Sequence, residues 1–364
     1  MASNGLKKIL WIYWIGLYKK LLGECMRIAI NGFGRIGRTF LRTLVSNDLK
    51  KTDIKIAAIN VGPVDPAEIA YFFKYDSVMG TYPGIVEYKD GYLFIGPIKI
   101  KVIAQKDATQ LPWKELEIDW VVDCSGKFTQ RAQAELHITA GAKNVLISAP
   151  AHDVDCTVIP GVNENVYKKG VDHIVSLGSC TTNALMPLLK VITQNWGIES
   201  AVVVTTHAYT QSQALLDGFS AKDVRLGRAA ALNIVPTSTG ASRMVAEIFP
   251  ELKGKVAATA LRVPVPKVSL VDVTWVANSS VGKNSLSAQE INKIFMQASQ
   301  GSLKTILEYS EVPLVSSDFA GNSHSVIFAA DLTVTVGAMN KISGWYDNEW
   351  GYSMRLRDFL LRIA

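Results

Sequence analysis

Short runs of consecutive apolar residues alternate with amphipathic stretches through the first half of the chain. Residues 27–31 read as a strand, and residues 38–45 follow with Phe40, Leu41 and Leu44 at helical spacing. Residues 54–59 form a second, almost wholly apolar run, the pattern of a parallel sheet covered on both faces. Two further buried strands are predicted at 120–123 and 144–148, with a polar helical stretch at 130–141 between them. This alternation predicts a doubly wound α/β unit. After about residue 176 the texture changes. Residues 201–206, 256–263, 268–276 and 332–338 are longer runs rich in valine and threonine, which suit a mixed or antiparallel sheet. Helical patterns at 183–196, 240–249 and 287–299 would cover one face of it, giving an α+β unit, and the tail 351–364 is again helical. The chain contains no internal repeat, low-complexity tract or Pro/Gly-rich linker.

Gly32, Gly34 and Gly37 stand between the first strand and the first helix as GxGxxG. In that context the first glycine makes a turn, the second lets a pyrophosphate approach the backbone, and the third lets helix and sheet pack closely. The helix N-terminus adds N–H groups and positive dipole. The first unit is therefore expected to be a Rossmann-type dinucleotide-binding domain. Asn31, Arg35 and Ile36 share the turn, and Asn60 ends the second strand, so all four join the candidate cofactor set. In such folds the second strand ends in an acid that binds the adenosine ribose and repels a 2′-phosphate. Here it ends Asn60-Val61-Gly62-Pro63, with Asp65 several residues further on and no arginine in the acid's place. Acceptance of both NAD and NADP, or a preference for NADP, is the expectation. The predicted division is 26–176 for the dinucleotide-binding domain, completed by a C-terminal helix at 349–364, and 177–348 for the catalytic domain.

Ser179-Cys180-Thr181-Thr182-Asn183 opens the first helix of the second unit. A cysteine at a helix N-terminus has its thiolate stabilised by the dipole, and a nearby imidazole would serve as base. His207, at the end of an apolar strand, is the candidate; on spacing alone a buried structural cysteine is the competing reading. Cys25, Cys124 and Cys156 are expected to be buried structural thiols. The four cysteines lack CxxC spacing, so neither a disulfide framework nor a zinc site is predicted, no metal is expected, and a reducing cytoplasm fits best.

Composition changes the picture at one place. An apolar share of 48% and a charged share of 19% over 364 residues exclude disorder, collagen and coiled coil. The net charge is +6, and half of it lies in residues 1–25, which carry Lys7, Lys8, Lys19 and Lys20 against Glu24. The apolar run 9–17 between those lysine pairs is too short to span a membrane, and no small-residue cleavage site follows it. Met26 directly precedes a complete strand, so the simplest reading is an over-long start; an interfacial membrane helix and a structured arm are the alternatives. No nucleic-acid or membrane partner is expected for the chain from Met26 onward.

Several long motifs carry a family resemblance: INGFGRIGR at 30–38, SCTTN at 179–183, HAYT at 207–210, RAAALNIVPTSTGA at 228–241, LRVPVPKVSLVD at 261–272 and WYDNEWGYS at 345–353. From Met26 to the C-terminus the chain resembles glyceraldehyde-3-phosphate dehydrogenases. The resemblance implies that Cys180 attacks the aldehyde and that His207 handles the proton as hydride leaves. The resulting thioester is then attacked by inorganic phosphate. It assigns Thr210, Ser212 and Arg262 to the substrate phosphate, and Ser179, Thr181, Arg225, Thr239 and Gly240 to inorganic phosphate. Ser125, Gly126, Phe128 and Ser148 match cofactor-lining turns, and Asn348 matches the residue that bonds the nicotinamide carboxamide. The resemblance also implies a cytoplasmic homotetramer acting in glycolysis or gluconeogenesis, with glyceraldehyde 3-phosphate and inorganic phosphate as its partners. The nearest rival within the fold is erythrose-4-phosphate dehydrogenase. Four departures stand out: Val61 for the ribose-binding acid, Leu177 for an asparagine, Ser212 for threonine or aspartate, and a changed, longer segment at 216–223. The first and last of these both weaken discrimination against NADP.

Overall fold

A computed structural model describes residues 25–46, 52–220, 223–278 and 285–364. The reading of residues 1–24 as an over-long start or arm lies outside the described residues, as do Ala221 and Lys222 of the changed segment.

The first half of the chain builds a nine-stranded sheet. Its strands are β1 (Met26–Asn31), β2 (Ile54–Asn60), β3 (Val86–Lys89), β4 (Tyr92–Ile95), β5 (Ile98–Ile103), β6 (Trp120–Asp123), β7 (Asn144–Ile147), β8 (Cys156–Thr157) and β9 (Ile174–Ser176), in the order β3-β4-β5-β2-β1-β6-β7-β9-β8. β1 lies between β2 and β6 and is parallel to both, so the connections leave it in opposite directions. A crevice opens at the carboxyl ends of strands wherever the order reverses in this way. The excursion β3–β5 was not anticipated from the pattern. It is made of two antiparallel pairings, the first closed by Asp90 and Gly91, both left-handed (φ 51° and 78°) as a tight hairpin turn requires.

Two helices share an apolar core with β1. α1 (Arg35–Val45) buries Phe40, Leu41 and Leu44; α2 (Ile69–Lys74) buries Ile69 and Phe73. α3 (Arg131–Thr139) joins β6 to β7. The C-terminal helix α7 (Trp350–Ile363) returns to this core: Tyr352, Leu356, Phe359 and Leu360 pack with Ile28, Ile30, Phe40 and Leu41.

The second sheet has eight strands: β10 (Ser200–Ala208), β11 (Val235–Thr237), β12 (Val256–Val263), β13 (Ser269–Val276), β14 (Leu307–Ser310), β15 (Val326–Ala329), β16 (Val334–Val336) and β17 (Met339–Tyr346). The order is β11-β12-β10-β13-β17-β15-β14, with β16 added on β17, and both pairing senses occur. α4 (Cys180–Asn195), α5 (Ala241–Ile248) and α6 (Ala288–Gln300) pack on one face, where Leu188, Leu189 and Phe295 meet Val203, Val271 and Phe328. The run expected as one strand at 332–338 is broken. Gly337 is left-handed (φ 60°) and turns the chain between Val336 and Met339, so the run yields the short β16 and the longest part of the hairpin is β17.

Gly37 illustrates how tightly the first unit is closed. A Cβ built there would stand 2.2 Å from the Gly32 carbonyl oxygen, whereas one at Gly34 would meet nothing within 4 Å. Gly37→Ala is expected to lower unfolding free energy by about 1–3 kcal/mol, the usual range for overpacking against a fixed neighbour. Gly34→Ala should leave it within about 0.5 kcal/mol. Thermal or denaturant unfolding of the two variants checks this, and equal stability would contradict the packing role.

Candidate active site

Cys180 is the first residue of α4, and the local sequence dictates that start. Ser179 has extended backbone and its Oγ accepts the Thr182 N–H at 3.0 Å, an N-cap. Asn183 ties the turn from inside, donating to the Leu177 carbonyl at 2.7 Å and the Ser179 carbonyl at 2.9 Å. Leu177 itself is fully buried and apolar, so the substitution there contributes packing while Asn183 supplies the hydrogen bonds. The thiol thus lies over the positive end of a 16-residue helix.

His207 reaches the thiol from β10, with Nε2 3.5 Å from Sγ. Its Nδ1 lies 2.7 Å from the Ala208 carbonyl oxygen, which can only accept; in the tautomer with the proton on Nδ1, Nε2 turns its lone pair to Cys180. β10 and β12 run parallel with His207 opposite Arg262. Arg262 Nη1 donates to the same Ala208 oxygen at 3.1 Å and lies 2.5 Å from Nδ1. Behind the imidazole stands Tyr346, edge-on at 5.9 Å, its hydroxyl fixed between Thr205 at 2.7 Å and Thr181 at 3.0 Å.

Burial, and then the charge of Arg262, push the His207 imidazole down to about 3. Burial raises the Cys180 thiol above its ordinary value, opposed by Arg262 and Thr181. Neither group therefore ionises readily alone. A proton passed from Sγ to Nε2 creates opposite charges 3.5 Å apart, and their attraction in a low-dielectric site offsets much of both penalties. The arrangement sets a thiol and an imidazole in contact, each of which favours its neutral form when alone. The remaining cysteines differ. Burial raises Cys124 and pushes Cys156 up to about 12, so both are inert thiols. Cys25 is exposed rather than buried, because it stands one residue outside β1.

A cleft of ≈ 1110 Å³ joins this pair to the glycine turn. It is lined by Thr210, Ser212 and Arg262 with Cys180 and His207, by Asn348, by Gly32, Gly34, Arg35 and Ile36 of the turn, and by Asn60, Ser125, Gly126, Phe128 and Ser148. The Thr210 and Ser212 hydroxyls are 2.9 Å apart, a paired set of oxyanion donors. Gly37 lies under the turn rather than on the cleft wall.

The second predicted phosphate set is placed differently. Ser179 Oγ, besides capping α4, lies 2.8 Å from Thr182 Oγ1, and Thr181 bonds Tyr346. Thr239 Oγ1 accepts the Ala241 N–H at 3.3 Å, and Gly240 is the N-cap of α5. Arg225 is exposed and pairs with Asp223 at 2.8 Å. None of these five lines the cleft.

A buried polar chain underlies the cofactor end. Asn31 Nδ2 donates to Asp123 at 2.7 Å and its Oδ1 accepts from Asn60 at 2.8 Å; Asn60 in turn bonds both backbone groups of Gln105 at 3.0 Å. Ser125 Oγ closes on Asp123 at 2.8 Å, and His137, held by Trp113, lies beneath. Burial pushes Asp123 up to about 6 and His137 down to about 4. The side chains of Asn31 and Asn60 thus hold three strand ends together. Asp65, the nearest acid after β2, caps its own turn through the Ala67 N–H. Val61 and Val64 line the cleft there, with Gln105 and Lys106, which sequence reasoning missed because they follow β5, far away in the chain.

Asn348 is held by its neighbours. Its Oδ1 accepts the Val268 N–H at 3.0 Å, leaving its NH₂ as the free polar end. Val268 is left-handed (φ 66°), a strained state for a β-branched residue. The buried Lys267–Asp347 pair at 2.9 Å pins both strands of this contact. Asp347 also caps α7 through the N–H groups of Glu349 and Trp350.

Two family models match the chain. One, described as the glyceraldehyde 3-phosphate dehydrogenase NAD binding domain, matches residues 26–131; the other, the C-terminal domain of the same family, matches residues 179–348. A glyceraldehyde-3-phosphate dehydrogenase of Mycolicibacterium smegmatis is 46% identical over 343 residues, 93% of this chain and 98% of its own. Glyceraldehyde-3-phosphate dehydrogenase 1 of Streptomyces avermitilis is 44% identical, with the same shares of 93% and 98%. Glyceraldehyde-3-phosphate dehydrogenase 2 of Trichormus variabilis is 45% identical, again covering 93% and 98%.

The pairing of Sγ with Nε2 makes a direct prediction. In His207→Asn the thiolate loses its counter-charge, so alkylation of Cys180 by iodoacetamide near neutral pH should slow by about tenfold or more. An unchanged rate would show that the thiolate forms without the imidazole.

Proposed function

The chain belongs to the glyceraldehyde-3-phosphate dehydrogenase family and is an NAD-dependent oxidoreductase, and on that premise we propose how its residues divide the work. The observation that carries the reading is the Cys180–His207 contact at 3.5 Å, in a cleft that the glycine turn also lines. Cys180 Sγ attacks the aldehyde carbon while its proton passes to His207 Nε2. The imidazolium and the Cys180 N–H then face the oxygen on which negative charge develops. His207 returns a proton to that oxygen and takes it back as the carbon–hydrogen bond breaks. NAD, when bound, supplies the hydride acceptor. The product at Cys180 is a thioester. Inorganic phosphate attacks its carbonyl, the thiolate leaves, and 1,3-bisphosphoglycerate is released.

The residues present fit the cofactor. Gly34 carries no atom that would keep a pyrophosphate from the N-terminus of α1, and the Asn348 NH₂ is free to meet a carboxamide oxygen. Arg262, Thr210 and Ser212 hold the substrate phosphate. Ser179, Thr181, Arg225, Thr239 and Gly240 serve inorganic phosphate, which requires Arg225 to exchange its exposed partner Asp223 for the anion. The same reading divides the chain at 176/177 and gives α7 to the first domain, supported by the core that α7 shares with α1 and β1.

NADP is accepted beside NAD in this proposal. Among the described residues that line the cleft, Glu349 is the one carboxylate and it is forked to Arg35, whereas Lys106 lines the cleft with Val61 after β2. A homotetramer is supported by the apolar segment Leu215, Leu216, Phe219, Leu232 and Ile234, which is exposed in a single copy. We place the protein in the cytoplasm, in keeping with four free cysteines.

One assay tests both statements: initial rates with glyceraldehyde 3-phosphate and either cofactor, with and without phosphate. Omitting phosphate and arsenate should reduce steady-state turnover more than about tenfold, because the thioester then has only water to attack it. The kcat/KM for NADP should lie within about a hundredfold of that for NAD, since an unopposed 2′-phosphate loses only a charge contact. Phosphate-independent turnover, or a larger preference for NAD, would overturn the respective statement.

A further inference from the structure

Arg35 opens α1 directly after Gly34, where a cation beside a phosphate is the obvious expectation. Its guanidinium is otherwise engaged. Nε and Nη2 donate to the two carboxylate oxygens of Glu349 at 2.7 and 2.6 Å, a bidentate fork, and Nη1 donates to Asp76 at 2.5 Å. All three partners are substantially buried. Asp76 is itself fixed by the N–H groups of Val78 and Met79 at 2.9 and 2.8 Å. The arginine of the glycine turn is thus neutralised by two carboxylates, 41 and 314 residues away in the chain. Glu349 is the residue after Asn348 and the N-cap of α7, the helix packed on α1. The fork therefore links the glycine turn to the peptide that carries Asn348.

We propose that Arg35 and Glu349 are positioning residues that couple the two ends of the NAD site. Ordering of the glycine turn against the pyrophosphate fixes Arg35. Through the fork it fixes the 348–349 peptide bond, and so the direction of the Asn348 NH₂. Without the fork Asn348 keeps its bond to Val268 but loses the tether on its other side. This rests on the reading that the turn holds the pyrophosphate and Asn348 the nicotinamide carboxamide.

The test compares NAD with ADP-ribose, which has the pyrophosphate but no nicotinamide. Calorimetric titration of Glu349→Gln is expected to show an NAD Kd raised about tenfold, an ordinary coupling magnitude, with ADP-ribose affinity little changed and kcat reduced. Arg35→Lys keeps the charge and loses the fork, and should show the same selectivity, so the test survives if one variant folds poorly. A selective loss of NAD affinity over ADP-ribose of about threefold or more supports the coupling. A smaller selectivity, including equal loss of both ligands, overturns it and leaves the fork a structural tie. Asn348→Ala separates the premise. If it too loses no selectivity for NAD, the assignment of Asn348 fails, and the coupling proposal fails with it; if it does lose selectivity, the outcome for Glu349→Gln judges the coupling alone.

Discussion

The chemistry proposed for this cleft depends on a thiol and an imidazole that share one proton in a place where neither charges easily alone. Cys180 and His207 come from different elements, and their 3.5 Å contact exists because α4 starts at a particular residue while β10 ends at another. The helix terminus and Arg262 favour the thiolate, whereas burial opposes both ions. A thiolate that appears together with its imidazolium is protected from water yet ready for an electrophile. In the proposed reaction its acyl product is a thioester, which inorganic phosphate must reach before water does.

The surroundings of the pair read as devices for holding these groups still. Tyr346 connects Thr181 of α4 to Thr205 of β10, so the two elements that carry nucleophile and base share one hydroxyl. Ser269 Oγ accepts the Ala208 N–H, which steadies the carbonyl that orients His207. Residues 347–349 carry three successive functions: Asp347 joins Lys267, Asn348 meets the strained Val268, and Glu349 joins Arg35. Strain of about 1–3 kcal/mol at a residue such as Val268 persists only where surrounding bonds over-determine the backbone. Those bonds are on hand here on both sides.

Much of this was legible in the chain because it is local. The glycine triplet between an apolar run and a helical pattern gave the dinucleotide turn, and a serine–cysteine pair before a helical run gave a capped helix with a thiol at its start. The lack of an acid after β2 was visible directly, and the structure adds that Asp65 turns to its own 3₁₀ turn. What escaped was non-local. Lys106 and Gln105 reach the cleft only because β5 pairs with β2, and no periodicity encodes that partner. The fork between Arg35 and Glu349 spans almost the whole chain. The split of 332–338 turned on one glycine whose left-handed conformation the valine-rich pattern concealed. Of the residues that the family motifs assign to phosphate, the structure sets Thr210, Ser212 and Arg262 on the cleft with the pair but leaves Arg225 at the surface with Asp223.

The claim on which the account stands is that oxidation leaves a thioester on Cys180 that awaits phosphate. Intact and peptide mass spectrometry of enzyme mixed with glyceraldehyde 3-phosphate and NAD in phosphate-free buffer tests it most directly. The account predicts one acyl group per chain, located on the peptide containing Cys180 and removed when phosphate is added. An unmodified Cys180 under conditions where NADH has formed, or an adduct that phosphate does not discharge, would contradict it.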